Sequence, residues 1–132
     1  MNIKTLIVGY TPLQWDGQEY RPAQVRADEY FKNFLKRFDL GELHFCGFTG
    51  YREPIDKLNP ILCIVFGENY AEEIRAYKKD IILYVTYSPN EIFWRKKEQD
   101  GRMKEQEATF KEIEGLLKKI KDEGQKEEDV RK

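Results

Sequence analysis

Two continuous apolar runs in the middle of the chain, at residues 61–66 and 81–85, flank one short charged segment. An apolar run without period-two alternation is typical of a strand covered on both faces, and strand, helix, strand is the parallel crossover unit. Two more runs with high β-propensity lie at residues 3–8 and 43–48. The pattern predicts an α/β fold, a small three-layer structure around a mostly parallel sheet of four strands.

Right-handed connections between these strands predict the spatial order 2-1-3-4. This order resembles that of flavodoxin-like and Rossmann-like folds. The second strand is shorter and less apolar than the others, which favours a position at the edge of the sheet.

The first helix is predicted to begin at Pro22, because proline suits the first helical turn and apolar residues then recur with helical spacing. Burial of aromatic rings stabilises a fold at about 25 cal/mol per Å2, so we expect this helix to lie flat on the sheet. Gly41 is the expected stop. The apolar face consists of Ala27, Tyr30, Phe31, Phe34, Leu35 and Phe38.

A short helical turn is expected around residues 55–58, and a longer helix directly after the third strand. In that helix Asn69 suits the N-cap, and Glu72 has the spacing of a capping box. Its predicted buried face carries Tyr70, Ile74 and Tyr77.

A second capping box begins at Ser88 and predicts a helical segment over residues 89–98. Asp100-Gly101 is expected to end this segment before a last helix over residues 102–121. The apolar stripe of the last helix could cover the sheet or meet a second copy, and we favour packing within the chain. The stripe consists of Phe110, Ile113, Leu117 and Ile120, with Leu116 beside it.

The chain of 132 residues is long enough for one hydrophobic core. We assign residues 1–121 to one domain and residues 122–132 to a charged, disordered tail. Its 23 basic and 24 acidic residues give a net charge of -1, so the chain has no strong field to attract nucleic acid or an acidic membrane surface. The apolar run at the N-terminus is too short for a signal peptide or a membrane span, and we expect a cytoplasmic protein.

Ligands of open α/β sheets bind at the carboxyl ends of the strands, where the strand order reverses. In the predicted order, this point lies between the first and third strands. Glu73 is predicted to face the sheet there, because it lies three residues after Tyr70 and four before Tyr77. The other residues expected to line this crevice are Tyr10, Thr11, Gln14, Trp15, Asp16, Gly67, Glu68 and Asn69.

Motifs for cofactors and metals are missing from the sequence. It contains no GxGxxG after the first strand and no P-loop motif, so we predict no cofactor. Cys46 and Cys63 lie in predicted strands without CxxC spacing, and we expect buried free thiols rather than a metal site. His44, the only histidine, has no second ligand or nucleophile near it in sequence, and we interpret it as structural.

The segment NPILCIVFGENYAEEIRAYKKDIILYV, residues 59–85, resembles a strand, helix, strand segment of nucleoside 2-deoxyribosyltransferase-like proteins. The resemblance implies that Glu73 is a nucleophile that attacks the anomeric carbon of a nucleoside, and that the loop with Tyr10 and Gln14 holds the base and sugar. Arg75 stands where the motif of that family has glycine. A shorter segment, IILYVTYSP, resembles receiver domains of response regulators, but the third strand is not followed by the aspartate that those domains carry.

Three functions are compatible with the sequence. The first is a small binding or regulatory domain that recognises a nucleotide-like ligand or a protein partner at the carboxyl ends of the strands. The second is an N-glycosidic bond hydrolase or transferase that uses Glu73 as nucleophile. The third is a homo-oligomer, such as a homodimer, that assembles through the fourth strand and the last helix. We favour the first, because every acidic residue except Glu73 has a structural or surface explanation.

Overall fold

Strands and helices alternate along the chain. The computed structural model describes residues 3–10, 22–88, 92 and 97–131. The strands of these residues are β1 (Lys4–Val8), β2 (Glu42–Cys46), β3 (Leu62–Phe66) and β4 (Ile82–Thr86). Their helices are α1 (Pro22–Leu35), α2 (Arg52–Leu58), α3 (Glu68–Tyr77) and α4 (Gln99–Arg131).

The strands form one parallel sheet in the order β2-β1-β3-β4. The predicted α/β class, the strand order and the edge position of β2 are therefore confirmed. β1 and β3 lie side by side, with Thr5 opposite Leu62 and Val8 opposite Val65. Both strands end at the same edge of the sheet, which we call the carboxyl edge.

Helices α1 and α4 cover one face of the sheet with a core rich in aromatic rings. Side chains alternate along a strand, and Ile7 and Ile64 point to this face. Phe34 of α1 meets Phe110 of α4 edge to face, with ring centroids 4.9 Å apart. Burial of each ring contributes about 2–3 kcal/mol and the ring pair about 1 kcal/mol more. The aromatic rings thus hold both helices against the sheet.

Helices α2 and α3 cover the opposite face. Ile55 of α2 and Ile74 of α3 are buried there against Leu6 and Val65. The short helical turn that the sequence predicts around residues 55–58 belongs to α2, which places Ile55 in this core. The sheet is therefore covered by helices on both faces, as the uninterrupted apolar runs predict.

The predicted aromatic face of α1 is confirmed, but the helix ends earlier than expected, at Leu35. Gly41 is therefore not the helix stop. Its φ is 76°, and a Cβ atom at this position would lie 2.5 Å from the carbonyl oxygen of Ile3. The N–H of Glu42 donates to that same oxygen at 2.7 Å. Gly41 allows the chain to enter β2 close beside β1.

Helix α3 begins at Glu68, and no side chain caps its first turn. The predicted N-cap at Asn69 and its capping box with Glu72 are wrong. Gly67 precedes the helix with a φ of 113°, which few other residues adopt. Because of this backbone conformation, the chain turns from β3 into α3 before it reaches the residue with capping chemistry.

A turn at residues 97–98 precedes helix α4, which is continuous over its 33 residues, so the expected break comes earlier than Asp100-Gly101. Both residues lie in the first turn, where an acidic side chain interacts favourably with the helix dipole and a glycine interrupts few helical hydrogen bonds. Helix α4 extends through residues 122–131, and the disorder that the sequence analysis expects of the tail stays a prediction. Their glutamates and lysines are good helix formers, which the low hydrophobicity of the segment conceals.

The apolar stripe of α4 packs on the sheet of its own chain, which confirms the favoured interpretation. Phe110, Ile113 and Leu117 are buried in the core beneath α4. In the predicted helix over residues 89–98, Ile92 is helical and buried, whereas residues 89–91 and 93–96 lie outside the described residues.

Candidate functional site

Aromatic rings fill the crevice that the sequence predicts between β1 and β3, as far as the structure describes it. On the face of α1 and α4, the ring of Tyr10 lies edge to face against Phe31 at 4.8 Å and Phe66 at 6.2 Å. On the face of α2 and α3, the rings of Phe48 and Tyr70 stack at 4.8 Å. Tyr10, predicted to contact a ligand, therefore packs its ring into the core.

Gly9 brings one of these rings against the end of β1. Its φ is 99°, and a Cβ atom there would lie 2.4 Å from Cε1 of Phe48. The N–H of Gly9 donates to the carbonyl oxygen of Cys46 at 2.9 Å. This close backbone approach fixes Phe48 at the carboxyl edge.

The hydroxyl of Tyr10 reaches a buried carboxylate that sequence reasoning missed. It donates to Oδ1 of Asp28 at 2.5 Å, and Nζ of Lys32 lies 2.9 Å from Oδ2 of the same carboxylate. Asp28 is only 5% exposed. Burial, followed by the hydrogen bond and the charge of Asp28, raises the pKa of Tyr10 far above its usual range. Asp28 lies three residues before Phe31 on the apolar face of α1, so helical periodicity could have identified it.

The loop after β1 carries four further residues of the predicted crevice. Thr11, Gln14, Trp15 and Asp16 lie outside the described residues. Their contribution to a binding site stays a prediction.

The predicted direction of Glu73 toward the sheet is wrong. The buried residues of α3 are Ala71 and Ile74, whereas Glu73 is exposed. Tyr77, which the sequence places on the buried face, is also exposed. The buried face of α3 keeps Ile74 and the partly buried Tyr70 of the predicted stripe, but it is displaced toward Ala71 and away from Glu73 and Tyr77. The role of Glu73 as a nucleophile stays untested.

An open pocket lies one strand away from the predicted crevice, at the carboxyl ends of β3 and β4. Its volume is about 340 Å3. Two of the residues predicted to line the crevice, Gly67 and Glu68, line this pocket. Asn69 and Glu73 are not among its described lining residues. The lining residues are Gly67, Glu68, Val85, Thr86, Tyr87, Glu105, Gln106 and Thr109. We call this the β3–β4 pocket.

Gln106 anchors the polar wall of the β3–β4 pocket and is completely buried. Its Nε2 donates to the carbonyl oxygen of Tyr87 at 2.8 Å and to Oγ1 of Thr86 at 3.3 Å. Its Oε1 accepts a longer hydrogen bond from the hydroxyl of Tyr30 at 3.5 Å. The amide thus connects α4 to the end of β4 and to α1. Gln106 lies four residues before Phe110 on the apolar stripe, a pattern that could have identified it in the sequence.

The rim of the pocket consists of Tyr87 and the charged groups around it. The hydroxyl of Tyr87 donates to Oε2 of Glu105 at 3.0 Å. The guanidinium of Arg102 lies over the Tyr87 ring at 4.8 Å and pairs with Glu98 at 2.8 Å. These contacts orient the Tyr87 ring and the Glu105 carboxylate from the side of α4.

Nucleophilic and metal chemistry is scarce around the described part of this site. In the residues that the structure describes, no group of three or more His, Cys, Asp and Glu side chains is placed to hold a metal ion. His44 lies on β2 with its Nε2 2.9 Å from Oε1 of Glu42, and the described lining of the β3–β4 pocket does not include it. The described lining consists of carboxylates, hydroxyls and an amide beside apolar surface, and these polar groups form hydrogen bonds.

The two thiols are free, as predicted. Burial raises the pKa of Cys46 to about 11 and that of Cys63 to about 12. A protonated thiol is a poor nucleophile. Cys63 is fully buried in the core, and the half-buried Cys46 packs against the same core.

No protein-family model, curated protein or solved structure matches this chain. Within residues 3–10, 22–88, 92 and 97–131, none of the helices is both long and apolar enough to span a bilayer. A functional assignment therefore depends on the geometry of the carboxyl edge.

Proposed function

We propose that this chain is a binding domain that recognises a small, nucleotide-like ligand in the β3–β4 pocket. The observation that carries the proposal is a pocket of about 340 Å3 at the carboxyl ends of two parallel strands. Parallel α/β sheets bind ligands at this edge, and small-molecule pockets commonly measure about 300–1,000 Å3.

The polar wall of the pocket is organised before any ligand arrives. Gln106 is held from three sides, by Tyr87 at 2.8 Å, Thr86 at 3.3 Å and Tyr30 at 3.5 Å. A ligand therefore does not have to immobilise this side chain, which would otherwise reduce affinity by about 0.5–1.5 kcal/mol. Preorganisation supports a binding role for the pocket.

The mixture of groups in the pocket suits a planar, partly polar ligand. Val85 and the Tyr87 ring provide apolar and aromatic surface, while Thr109 and Glu105 provide polar atoms on the opposite helix. Nucleobases combine a flat apolar face with hydrogen-bonding edges, and such ligands use both kinds of surface.

Binding without turnover follows from the chemistry of the described lining. The described lining contains no histidine, lysine or cysteine. The lining does contain two carboxylates, Glu68 and Glu105, and one oxygen of Glu105 accepts a hydrogen bond from Tyr87, which suits a role in recognition. We therefore propose recognition rather than reaction at this site.

A thermal-shift screen of nucleosides, nucleobases and nucleotides tests the proposal with two matched variants. Thr109→Phe fills the pocket from α4, whereas Ala108→Phe places the same ring at the neighbouring, exposed position. At a concentration of 100 Kd, a ligand that binds only the folded state stabilises it by about 2.7 kcal/mol. We expect this stabilisation in the wild type and in Ala108→Phe.

The folded Thr109→Phe variant should lose the stabilisation. If no compound of the screen stabilises the wild type, the proposed function is wrong. If Thr109→Phe responds as the wild type does, a ligand binds elsewhere and the assignment of the pocket fails.

A further inference from the structure

Gln106 uses its hydrogen-bonding capacity inside the protein. Its Nε2 donates to the carbonyl oxygen of Tyr87 at 2.8 Å and to Oγ1 of Thr86 at 3.3 Å. An amide nitrogen carries two protons, so both donors are engaged. Its oxygen already accepts from the hydroxyl of Tyr30 at 3.5 Å. Gln106 therefore shapes the pocket but has no N–H left to offer a ligand.

The polar side chains of α4 and α3 that line the pocket are mainly acceptors. Glu68 and Glu105 each present a carboxylate, and only one oxygen of Glu105 accepts from Tyr87, at 3.0 Å. The hydroxyl of Thr109 donates to the backbone oxygen of Glu105 at 3.0 Å, which leaves its oxygen as an acceptor. Among the described lining residues, the hydroxyl of Thr86 is the side-chain donor that remains.

Arg102, the positively charged residue near the rim, does not change this excess of hydrogen-bond acceptors and negative charge in the pocket. Arg102 stacks on the Tyr87 ring at 4.8 Å and pairs with Glu98 at 2.8 Å. Its side chain is only 17% exposed, and it does not belong to the described lining of the pocket. The described lining carries two carboxylates and no positively charged side chain.

We infer that the β3–β4 pocket selects a planar heterocycle that bears an amino group and carries no phosphate. This inference depends on the proposed function and specifies the ligand class of the same site. An exocyclic amino group supplies the N–H donors that the carboxylates and the Thr109 oxygen require. A phosphate would bring further negative charge beside the exposed carboxylates of Glu68 and Glu105, and these like charges repel.

Isothermal titration calorimetry on the full chain with three probes tests the selection. Adenosine carries the amino group, inosine has a carbonyl oxygen in its place, and adenosine monophosphate adds the phosphate. We expect adenosine to bind at least tenfold more tightly than either of the other two. Salt screens exposed charges. The factor by which adenosine binds more tightly than adenosine monophosphate should therefore decrease between 50 mM and 500 mM salt.

Glu105→Gln tests the assignment to a specific carboxylate. The amide keeps the shape of the side chain and adds a donor, so the variant should bind inosine and adenosine monophosphate relatively more tightly than the wild type does. Glu112→Gln changes an exposed glutamate of the same helix. It should leave the affinity for adenosine unchanged relative to that for inosine and relative to that for adenosine monophosphate.

Each outcome separates the inference from the proposed function. Binding of inosine or adenosine monophosphate as tightly as adenosine overturns the selection but leaves a ligand-binding pocket. Unchanged ratios in a folded Glu105→Gln variant overturn the role of this carboxylate. If none of the three probes binds, the selection is wrong, and the proposed function fails as well if the wider screen is also blank.

Discussion

Two buried polar side chains, Asp28 and Gln106, have hydrogen-bond partners near the carboxyl edge of the sheet. Among the described residues, Thr5, Asp28 and Gln106 are polar and buried. Thr5 donates to the carbonyl oxygen of Leu40 at 2.7 Å. An unpaired buried polar group costs about 1–3 kcal/mol, so each of these residues needs a specific partner. Asp28 and Gln106 find theirs next to the ends of β1 and β4.

Both residues could have been predicted from the sequence, because each interrupts an apolar stripe with helical spacing. Asp28 lies on the face with Phe31, and Gln106 lies on the face with Phe110. The pattern marks a buried polar residue but does not identify its partners. Those partners come from distant parts of the chain, such as Tyr10 for Asp28 and Tyr30 for Gln106.

Burial of the two thiols should make the free energy of unfolding depend on pH. Burial raises the pKa of Cys63 from 9.0 to about 12 and that of Cys46 to about 11. The folded state therefore retains protons that the unfolded state releases, and stability falls as pH rises through this range. The contribution is fully present below about pH 9 and is lost progressively above it.

Cys63→Ala should flatten this alkaline loss of stability. Between pH 9 and 11, each such thiol contributes a slope of about 1.4 kcal/mol per pH unit. We expect urea unfolding at several pH values to give a shallower slope for the variant, even though its absolute stability decreases because of the cavity. Equal slopes for the variant and the wild type would contradict the assigned pKa of Cys63.

At the scale of the elements, the strands were the most predictable part. Apolar runs located β3 and β4, runs of high β-propensity located β1 and β2, and right-handed crossovers placed β1 beside β3. The buried faces of the helices were harder to predict where few apolar residues mark them. In α1, many apolar residues fix the face, whereas in α3 the predicted stripe placed Tyr77 beside Ile74, and the structure buries Ala71 with Ile74 instead.

A pair of neighbouring substitutions tests the face of α3. Ile74→Ala should decrease the free energy of unfolding by about 2–5 kcal/mol, because Ile74 is fully buried. Glu73→Ala should change it by less than about 0.5 kcal/mol, because Glu73 is exposed. Glu73→Ala should also leave ligand binding at the β3–β4 pocket unchanged. A large loss of stability or binding in Glu73→Ala would restore the orientation that the sequence suggests.

At the scale of the whole molecule, the β3–β4 pocket that we propose as the site lies one strand away from the crevice that the sequence predicts. The reversal of strand order between β1 and β3 is confirmed, and the general rule for parallel sheets places a ligand there. Tyr10, Phe48 and Tyr70 occupy that position instead. The directions of these rings depend on contacts between distant segments, such as Gly9 against Phe48, which one-dimensional patterns do not reveal.

Assembly is a separate question from the pocket. The residues of β4 are half-buried, and within the described sheet the strand pairs with β3 on one side. A homodimer through this strand stays a prediction. Leu117 is buried under α4 in the core of its own chain, so Leu117→Glu would damage the fold itself and would not report on assembly.

Nuclear magnetic resonance titration of the isotope-labelled chain with adenosine tests the central claim most directly. We predict saturable chemical-shift changes that concentrate on the backbone amides of Gly67, Thr86, Tyr87 and Gln106, which line the β3–β4 pocket. Saturable changes centred on Glu73, or on Tyr10 and the end of β1 with the β3–β4 pocket unaffected, would contradict the claim.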